Sequence, residues 1–287
     1  MIPAQFDYVA PTSVAAAVTA LGQAGEDAKI LAGGQSLIPV LRLRLAFPSV
    51  LVDLGKVAEL RGIREDGDVL VIGAMTRHAD VLTDPLIKQH AALLAAATAT
   101  VADPAVRHRG TFGGALAHAD PAGDLPAVAL ALGAQLVAEG PNGRRTVAAK
   151  DFFLDYLQTA LSPDEVLVEV RVPKREGSWG VHYEKFNRVA QAWAIVGVAA
   201  AVRRENGTIA EARIGLTNMG STPVRASSVE QALAGAAADL GAIRQAASWA
   251  ADGTNAPSDL GGKADYRQHL ARVLTARAVA AAAGVSG

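Results

Sequence analysis

From Thr111 to Pro126 the chain reads Thr-Phe-Gly-Gly-Ala-Leu-Ala-His-Ala-Asp-Pro-Ala-Gly-Asp-Leu-Pro, and this stretch narrows its possible folds more than any other. Gly113 and Gly114 lack side chains, so a ligand's phosphates can come close to their backbone N–H groups. Asp120 and Asp124 follow near enough to line the same pocket, where a carboxylate can accept hydrogen bonds from ribose hydroxyls. The segment reads as a cofactor loop. A second glycine pair lies upstream in Lys29-Ile-Leu-Ala-Gly-Gly-Gln-Ser-Leu-Ile38, where an apolar run enters Gly33-Gly34 and Ser36 can cap the helix that follows. The start of a helix offers unpaired N–H donors and a positive dipole, which suits a pyrophosphate. Either turn alone is also ordinary loop punctuation. Both together, in this order, point to one long anionic cofactor held between them.

Composition removes several other classes. A chain of 287 residues can form two or three domains, and a net charge of −1 gives no electrostatic reason to expect nucleic acid. Although 51% of residues are hydrophobic, no apolar run reaches the roughly 18 residues a spanning helix needs. The opening Met1-Ile-Pro-Ala-Gln-Phe-Asp7 carries no secretory pattern, so a soluble, cytoplasmic protein is expected. The chain has no cysteine, which rules out disulfides and thiolate-held iron–sulfur or zinc centres within it. Redox chemistry would therefore need an organic cofactor, or centres on other chains. There is no G-x-G-x-x-G fingerprint, Gly261-Gly262-Lys263 lacks the Walker spacing, and Ser36 lies in no nucleophile elbow. His108, His118 and Asp120 match no metal-ligand spacing, and Arg107 and Arg109 suit phosphate, carboxylate or solvent equally.

Periodicity predicts mixed helix and strand, an α+β chain. Helices are expected over 14–21 (capped by Thr12 or Ser13), 37–45, 76–82 and 91–100, the last ending before Asp103-Pro104. Strands are expected over 28–31, 50–54, 69–72 and 166–172, with a hairpin turn at Pro141-Asn-Gly143. A polar stretch over 174–180 marks a domain boundary. Beyond it come strands over 193–202 and 209–217, joined at Glu205-Asn-Gly207, then helices over 227–233, 240–251 and 264–282 and a frayed tail after Gly284. Trp193 reads first as a core residue, although an indole can stack on a flat heteroaromatic ring and Lys185 can offset charge on a reduced one.

Ala32-Gly-Gly-Gln-Ser-Leu37, Thr111-Phe-Gly-Gly114 with Asp120-Pro-Ala-Gly-Asp124, and Tyr183-Glu-Lys-Phe186 together resemble the FAD-binding medium subunits of molybdenum hydroxylases, those of carbon monoxide dehydrogenases most. The likeness extends to Ile2-Pro-Ala-Gln-Phe-Asp-Tyr8, Ile214-Gly-Leu-Thr-Asn218 and Tyr266-Arg267. It implies a two-subdomain FAD-binding domain of the vanillyl-alcohol-oxidase type over 1–177 (subdomains about 1–55 and 56–177) and a C-terminal α+β domain over 178–287. By the same likeness, FAD lies between them. Ala32, Gly33, Gly34, Gln35, Ser36 and Leu37, with Thr111, Gly113, Gly114 and Ala115, would bind it. Asp124 would meet the adenosine half, Lys185 would lie near the flavin, and Trp193 stands where relatives often carry tyrosine beside the isoalloxazine ring. Ala115 departs from the family pattern, which commonly has asparagine there, and so removes a side-chain hydrogen bond.

The resemblance further implies an electron-transfer role, with no catalytic residue or metal ligand on this chain. The partners would be a large molybdenum-cofactor subunit and a small two-cluster iron–sulfur subunit, arranged as a dimer of heterotrimers. Electrons would pass to a quinone or other acceptor at the inner face of the membrane, with carbon monoxide as the first expected substrate. A self-sufficient FAD-dependent oxidoreductase acting on a small molecule is the alternative, and a non-catalytic binding or assembly protein a third reading.

Overall fold

Short apolar runs separated by glycine turns build a small parallel sheet at the N terminus. In the computed structural model, which describes residues 2–285, the strands β1 (Asp7–Val9), β2 (Ala28–Leu31) and β3 (Val50–Asp53) lie in the order β1-β3-β2. The helices α1 (Val14–Ala24) and α2 (Leu37–Arg42) supply the crossovers. Ser13 begins α1 as expected, its Oγ accepting the Ala16 N–H at 3.2 Å. Val14, Ala17, Val18 and Leu21 repeat at helical spacing and are all buried, so one face of α1 covers the sheet. The tail expected to fray includes residues 286 and 287, which lie outside the described residues.

Two single-turn 3-10 helices, Leu54–Lys56 and Ala58–Leu60, lead into a second body. Its elements are β4 (Ile63–Asp66), β5 (Val69–Gly73), α3 (His78–Thr83), α4 (Pro85–His90), α5 (Ala92–Ala99), α6 (Pro104–Arg109), α7 (Phe112–His118), α8 (Asp124–Leu132), β6 (Gln135–Gly140), β7 (Gly143–Ala148), α9 (Ala149–Phe152), the hairpin β8 (Phe153–Asp155) and β9 (Gln158–Thr159), and β10 (Val166–Pro173). An antiparallel sheet runs β4-β5-β10-β6-β7, with α3 to α8 inserted between β5 and β6. Asp103-Pro104 does more than end a helix. Asp103 Oδ1 accepts the Val106 N–H at 2.9 Å and Pro104 takes the first helical position of α6.

The third body is an antiparallel sheet, β11 (Trp179–Phe186), β12 (Val196–Glu205), β13 (Thr208–Thr217) and β14 (Val224–Arg225), backed by α10 (Ser227–Leu233), α11 (Leu240–Ala247) and α12 (Ala264–Ala282). Asn206 and Gly207 both have positive φ (49° and 81°), the turn that suits a two-residue hairpin between β12 and β13. Every residue of α8 is buried, which explains why it is apolar all round: it lies between the second body's core and the third sheet. Gly215 on β13 permits that approach, since a Cβ there would sit 2.2 Å from the Ala127 carbonyl oxygen. Arg213 Nε and Arg175 Nη2 donate to the Ala131 and Leu132 carbonyls at 2.7 Å each, capping the C-terminal end of α8.

Candidate functional site

The first glycine turn leaves β2 with its amides free. Among the described residues, none of the N–H groups of Gly33, Gly34, Gln35, Ser36 and Leu37 donates to a protein acceptor. Gly34 is left-handed (φ 74°), and successive amides in such a turn form a concave array that favours an anion. The expected cap is missing: Ser36 has helical backbone angles and its side chain accepts no amide of α2. That hydroxyl is therefore free as well. Gly33 has a second duty, because a Cβ there would lie 2.4 Å from the Arg109 carbonyl oxygen and 2.7 Å from Gly110 Cα. Its bareness is what lets the two glycine-bearing segments meet.

The second segment is not a loop. It forms α7 and the start of α8, and the amides at the head of α7 are spent inside the protein. Phe112 N–H donates to Thr76 O and Gly113 N–H to Ala74 O, each at 2.9 Å. Gly114 N–H donates to Thr111 Oγ1 at 3.2 Å, and Ala115 N–H to Thr111 O at 3.0 Å. The expectation that the Gly113 and Gly114 amides stand free for phosphates is thus corrected. Gly113 is a glycine because Ala74 occupies the space, its Cβ 2.5 Å from where a side chain would begin. Gly114 faces Ala32, whose Cβ would be 3.4 Å from a side chain there, so Ala32, Thr111 and Gly114 share one wall beside the first turn.

A cleft of about 180 Å³ opens at this junction, lined by Leu31, Ala32, Gly33, Ile38, Asp53, Gly55, Arg61, Met75, Arg77, Arg109 and Thr111. Arg61 Nη2 donates to Gly55 O at 2.9 Å. Arg77 and Arg109 pair with no carboxylate among the described residues. Guanidinium groups beside unpaired amides suit a diphosphate, so the residues present fit the expected cofactor's most charged part. Sequence reasoning left Arg109 undecided and missed Arg61 and Arg77. They come from three separate elements, and only the packed chain brings them together. Arg107 is engaged elsewhere, donating to Val101 O at 2.7 Å.

Asp124 begins α8 and is 4% exposed. Tyr183 Oη donates to its Oδ1 at 2.6 Å, and Lys185 Nζ to its Oδ2 at 2.8 Å. Lys185 also donates to Thr100 O at 3.1 Å, and Thr217 Oγ1 lies 3.3 Å from the Tyr183 hydroxyl. Both carboxylate oxygens are therefore held by β11 of the third body, where an open face toward a ribose was expected. Burial raises the Asp124 pKa and outweighs the opposing pull of the Lys185 ammonium and the Tyr183 hydroxyl. Burial, and then the Asp124 charge, push the Tyr183 phenol well above its usual range, so it stays protonated and donating.

Trp193 lies outside β12, on the loop that joins it to β11, and is 54% exposed, which overturns its reading as core. Its loop begins just after Phe186, the last residue of β11, and the Ala194 carbonyl beside it accepts from Asn218, whose own N–H donates to Pro121 O ahead of Asp124. Gln35 is exposed, its side-chain amide donating to Gly33 O at 3.2 Å, while Ala115 and Leu37 are half-buried beside their turns.

Comparison with known proteins gives two family matches that together span most of the chain. Residues 4–175 match the family described as "FAD binding domain in molybdopterin dehydrogenase", and residues 181–282 the "CO dehydrogenase flavoprotein C-terminal domain". The carbon monoxide dehydrogenase medium chain of Hydrogenophaga pseudoflava is 45% identical over 282 residues, 98% of each chain. The 6-hydroxypseudooxynicotine dehydrogenase complex subunit alpha of Paenarthrobacter nicotinovorans is 39% identical over 283 residues, covering 98% of this chain and 96% of its own. Among solved structures, a chain of the Hydrogenophaga pseudoflava carbon monoxide dehydrogenase lacking the Mo-pyranopterin moiety superposes with a TM-score of 0.96 at 47% identity, covering 98% of both chains.

Proposed function

The chain belongs to the FAD-binding medium subunits of the molybdenum hydroxylases, and on that premise we propose that it carries electrons from iron–sulfur clusters on a small partner to a quinone or other acceptor. A large partner would hold the molybdenum cofactor and oxidise the substrate, carbon monoxide, with two such heterotrimers paired. Bound FAD supplies the exchange between one-electron carriers and a two-electron acceptor. The observation that carries the reading is the run of unpaired amides from Gly33 to Leu37 beside Arg77 and Arg109.

This chain's own residues have separable tasks. Ala32, Gly33, Gly34, Gln35, Ser36 and Leu37 would grip the diphosphate. Thr111, Gly113, Gly114 and Ala115 would shape the opposite wall rather than donate to it, because their amides are already bonded. Asp124 would act through Lys185, holding its ammonium at the seam, and Trp193 would offer its exposed face to the flavin ring. The 45% identity to a carbon monoxide dehydrogenase medium chain favours carbon monoxide, although a 39% identical relative serves 6-hydroxypseudooxynicotine dehydrogenase. Among the described residues no helix is long and apolar enough to cross a membrane, so contact with the inner face of a membrane would run through the acceptor.

Titrating the purified full chain with FAD tests the core of this reading. The expected result is uptake of one FAD with a flavin absorbance band; no uptake overturns it. Co-purification with a large and a small subunit, and dye reduction by that complex with carbon monoxide, test the partners and the substrate. Turnover of a small molecule by the isolated chain would instead support the self-sufficient oxidoreductase.

A further inference from the structure

Two sequence motifs find no task in cofactor gripping: Ile214-Gly-Leu-Thr-Asn218 and Tyr266-Arg267. In the fold they meet. Asn218 follows β13 and is buried, and its Nδ2 donates to the Ala194 carbonyl at 2.7 Å. Arg267, on α12, is 1% exposed, and its Nη1 donates to the Ile195 carbonyl. Two consecutive carbonyls immediately after Trp193 are thus held by buried side chains from two different elements.

Each holder is anchored in turn. The Asn218 N–H donates to the Pro121 carbonyl at 2.8 Å, which ties it to the turn between α7 and α8. Arg267 Nη2 donates to Asp259 Oδ1 at 2.6 Å, and the same oxygen accepts the Gly261 N–H at 2.7 Å. Burying a guanidinium is costly unless it is paired and hydrogen-bonded. Its planar fork holds two donors at a fixed spacing, Nη1 on the Ile195 carbonyl and Nη2 on the Asp259 carboxylate, a geometry that the single nitrogen of a lysine does not reproduce. Asn218 is also left-handed (φ 62°), a conformation open to Asn, Asp and Gly but to few other residues.

We propose that Asn218 and Arg267 are positioning residues that clasp the Trp193 loop, tying the backbone beside the indole to the Pro121 turn and so fixing where the indole meets the bound flavin. The exposed loop between β11 and β12 would otherwise let the indole swing. The inference rests on the reading of Trp193 as the flavin's stacking partner.

Asn218→Gly isolates the clasp, because glycine keeps the left-handed backbone and removes only the donation to Ala194. The readout is isoalloxazine emission of the FAD-loaded full chain, since a stacked indole quenches it, with FAD affinity measured alongside by calorimetry. Trp193→Ala should raise emission several-fold. Asn218→Gly should raise it part of the way while leaving FAD affinity within about threefold, because the Gly33–Leu37 amides are untouched. Arg267→Lys, which keeps the charge but loses the fork that spans the Ile195 carbonyl and Asp259 Oδ1, should move emission in the same direction. The double variant Trp193→Ala/Asn218→Gly should emit as Trp193→Ala alone. Wild-type emission from Asn218→Gly, or a further rise in the double variant, overturns the proposal. Unchanged emission in Trp193→Ala with FAD still bound overturns both the stacking reading and the clasp, and leaves FAD binding standing. Failure of the wild-type chain to take up FAD shows itself separately, as missing flavin absorbance.

Discussion

Removing the Asp124 carboxylate should damage the seam between bodies before it damages cofactor binding. Asp124→Ala strands the Lys185 ammonium, whose side chain is 5% exposed, with the Thr100 carbonyl as its one acceptor. It also leaves the buried Tyr183 hydroxyl with Thr217 Oγ1 alone, at 3.3 Å. Breaking one side of a buried pair costs about 3–5 kcal/mol, because the surviving charge stays desolvated. For a chain of this size that corresponds to a fall in melting temperature of roughly 10 °C. Lys185→Met should lose a similar amount, since it leaves the carboxylate with the Tyr183 donor only.

The double variant Asp124→Ala/Lys185→Met decides the matter. With neither charge left to desolvate, it should be more stable than either single variant, or at least lose far less than their sum. Differential scanning calorimetry of the cofactor-free chain near neutral pH measures all four proteins. Additive losses, or an Asp124→Ala chain that melts with the wild type, would refute the reasoning. An Asp124→Ala chain that melts normally but binds FAD weakly would return the carboxylate to the ribose.

Other perturbations separate the remaining roles. Gly33→Ala places a Cβ 2.4 Å from the Arg109 carbonyl oxygen, against backbone that cannot swing aside, so FAD affinity should drop roughly tenfold or more in a titration. Wild-type affinity would mean that the two segments need not touch. Arg77→Gln and Arg109→Gln should each weaken FAD several-fold at low ionic strength, with the difference shrinking as salt is added. A salt-independent difference would argue against direct charge pairing. His78 is buried and its pKa falls from 6.5 to about 4, chiefly through desolvation and then the nearby Arg107 charge. The unfolded chain therefore takes up this proton below pH 6.5 while the folded chain resists until about 4, so stability declines across that window by up to about 3 kcal/mol. The His78 Nδ1 has no partner to lose, and His78→Met should flatten this acid limb of the unfolding curve; an unchanged limb assigns the acid sensitivity elsewhere.

Local signals announced the elements whose causes are local. The Ser13 cap and the apolar period of α1, the Asn206-Gly207 turn, and the span of α12 all follow from neighbours within a few residues. Elements shaped by distant partners were not legible. β11 escaped because Gly180 interrupts it, and that glycine exists because a Cβ would sit against the Ala282 carbonyl from the far end of the chain. α7 was hidden by its own glycines, which the helix tolerates because Thr111 caps it and Ala74 packs on it. Trp193 was drawn into β12 by its apolar followers, although the ladder begins at Val196 and the carbonyls of Ala194 and Ile195 are held by side chains instead.

The two glycine pairs show how motifs that look alike in sequence can do different work in the fold. A glycine admits close approach, but the sequence does not say what approaches. At Gly113 the visitor is Ala74 of the same chain, and the amide is spent on that residue's carbonyl. At Gly33 the visitor is the Arg109–Gly110 backbone on one side, while the amide on the other side stays unpaired. Substituting alanine at either position produces a clash, so loss of binding in such variants does not by itself distinguish a donor from a spacer. The distinction lies in the hydrogen bonds of each amide: those of the first turn are unpaired, which suits an anion, while those at the head of α7 are spent within the protein.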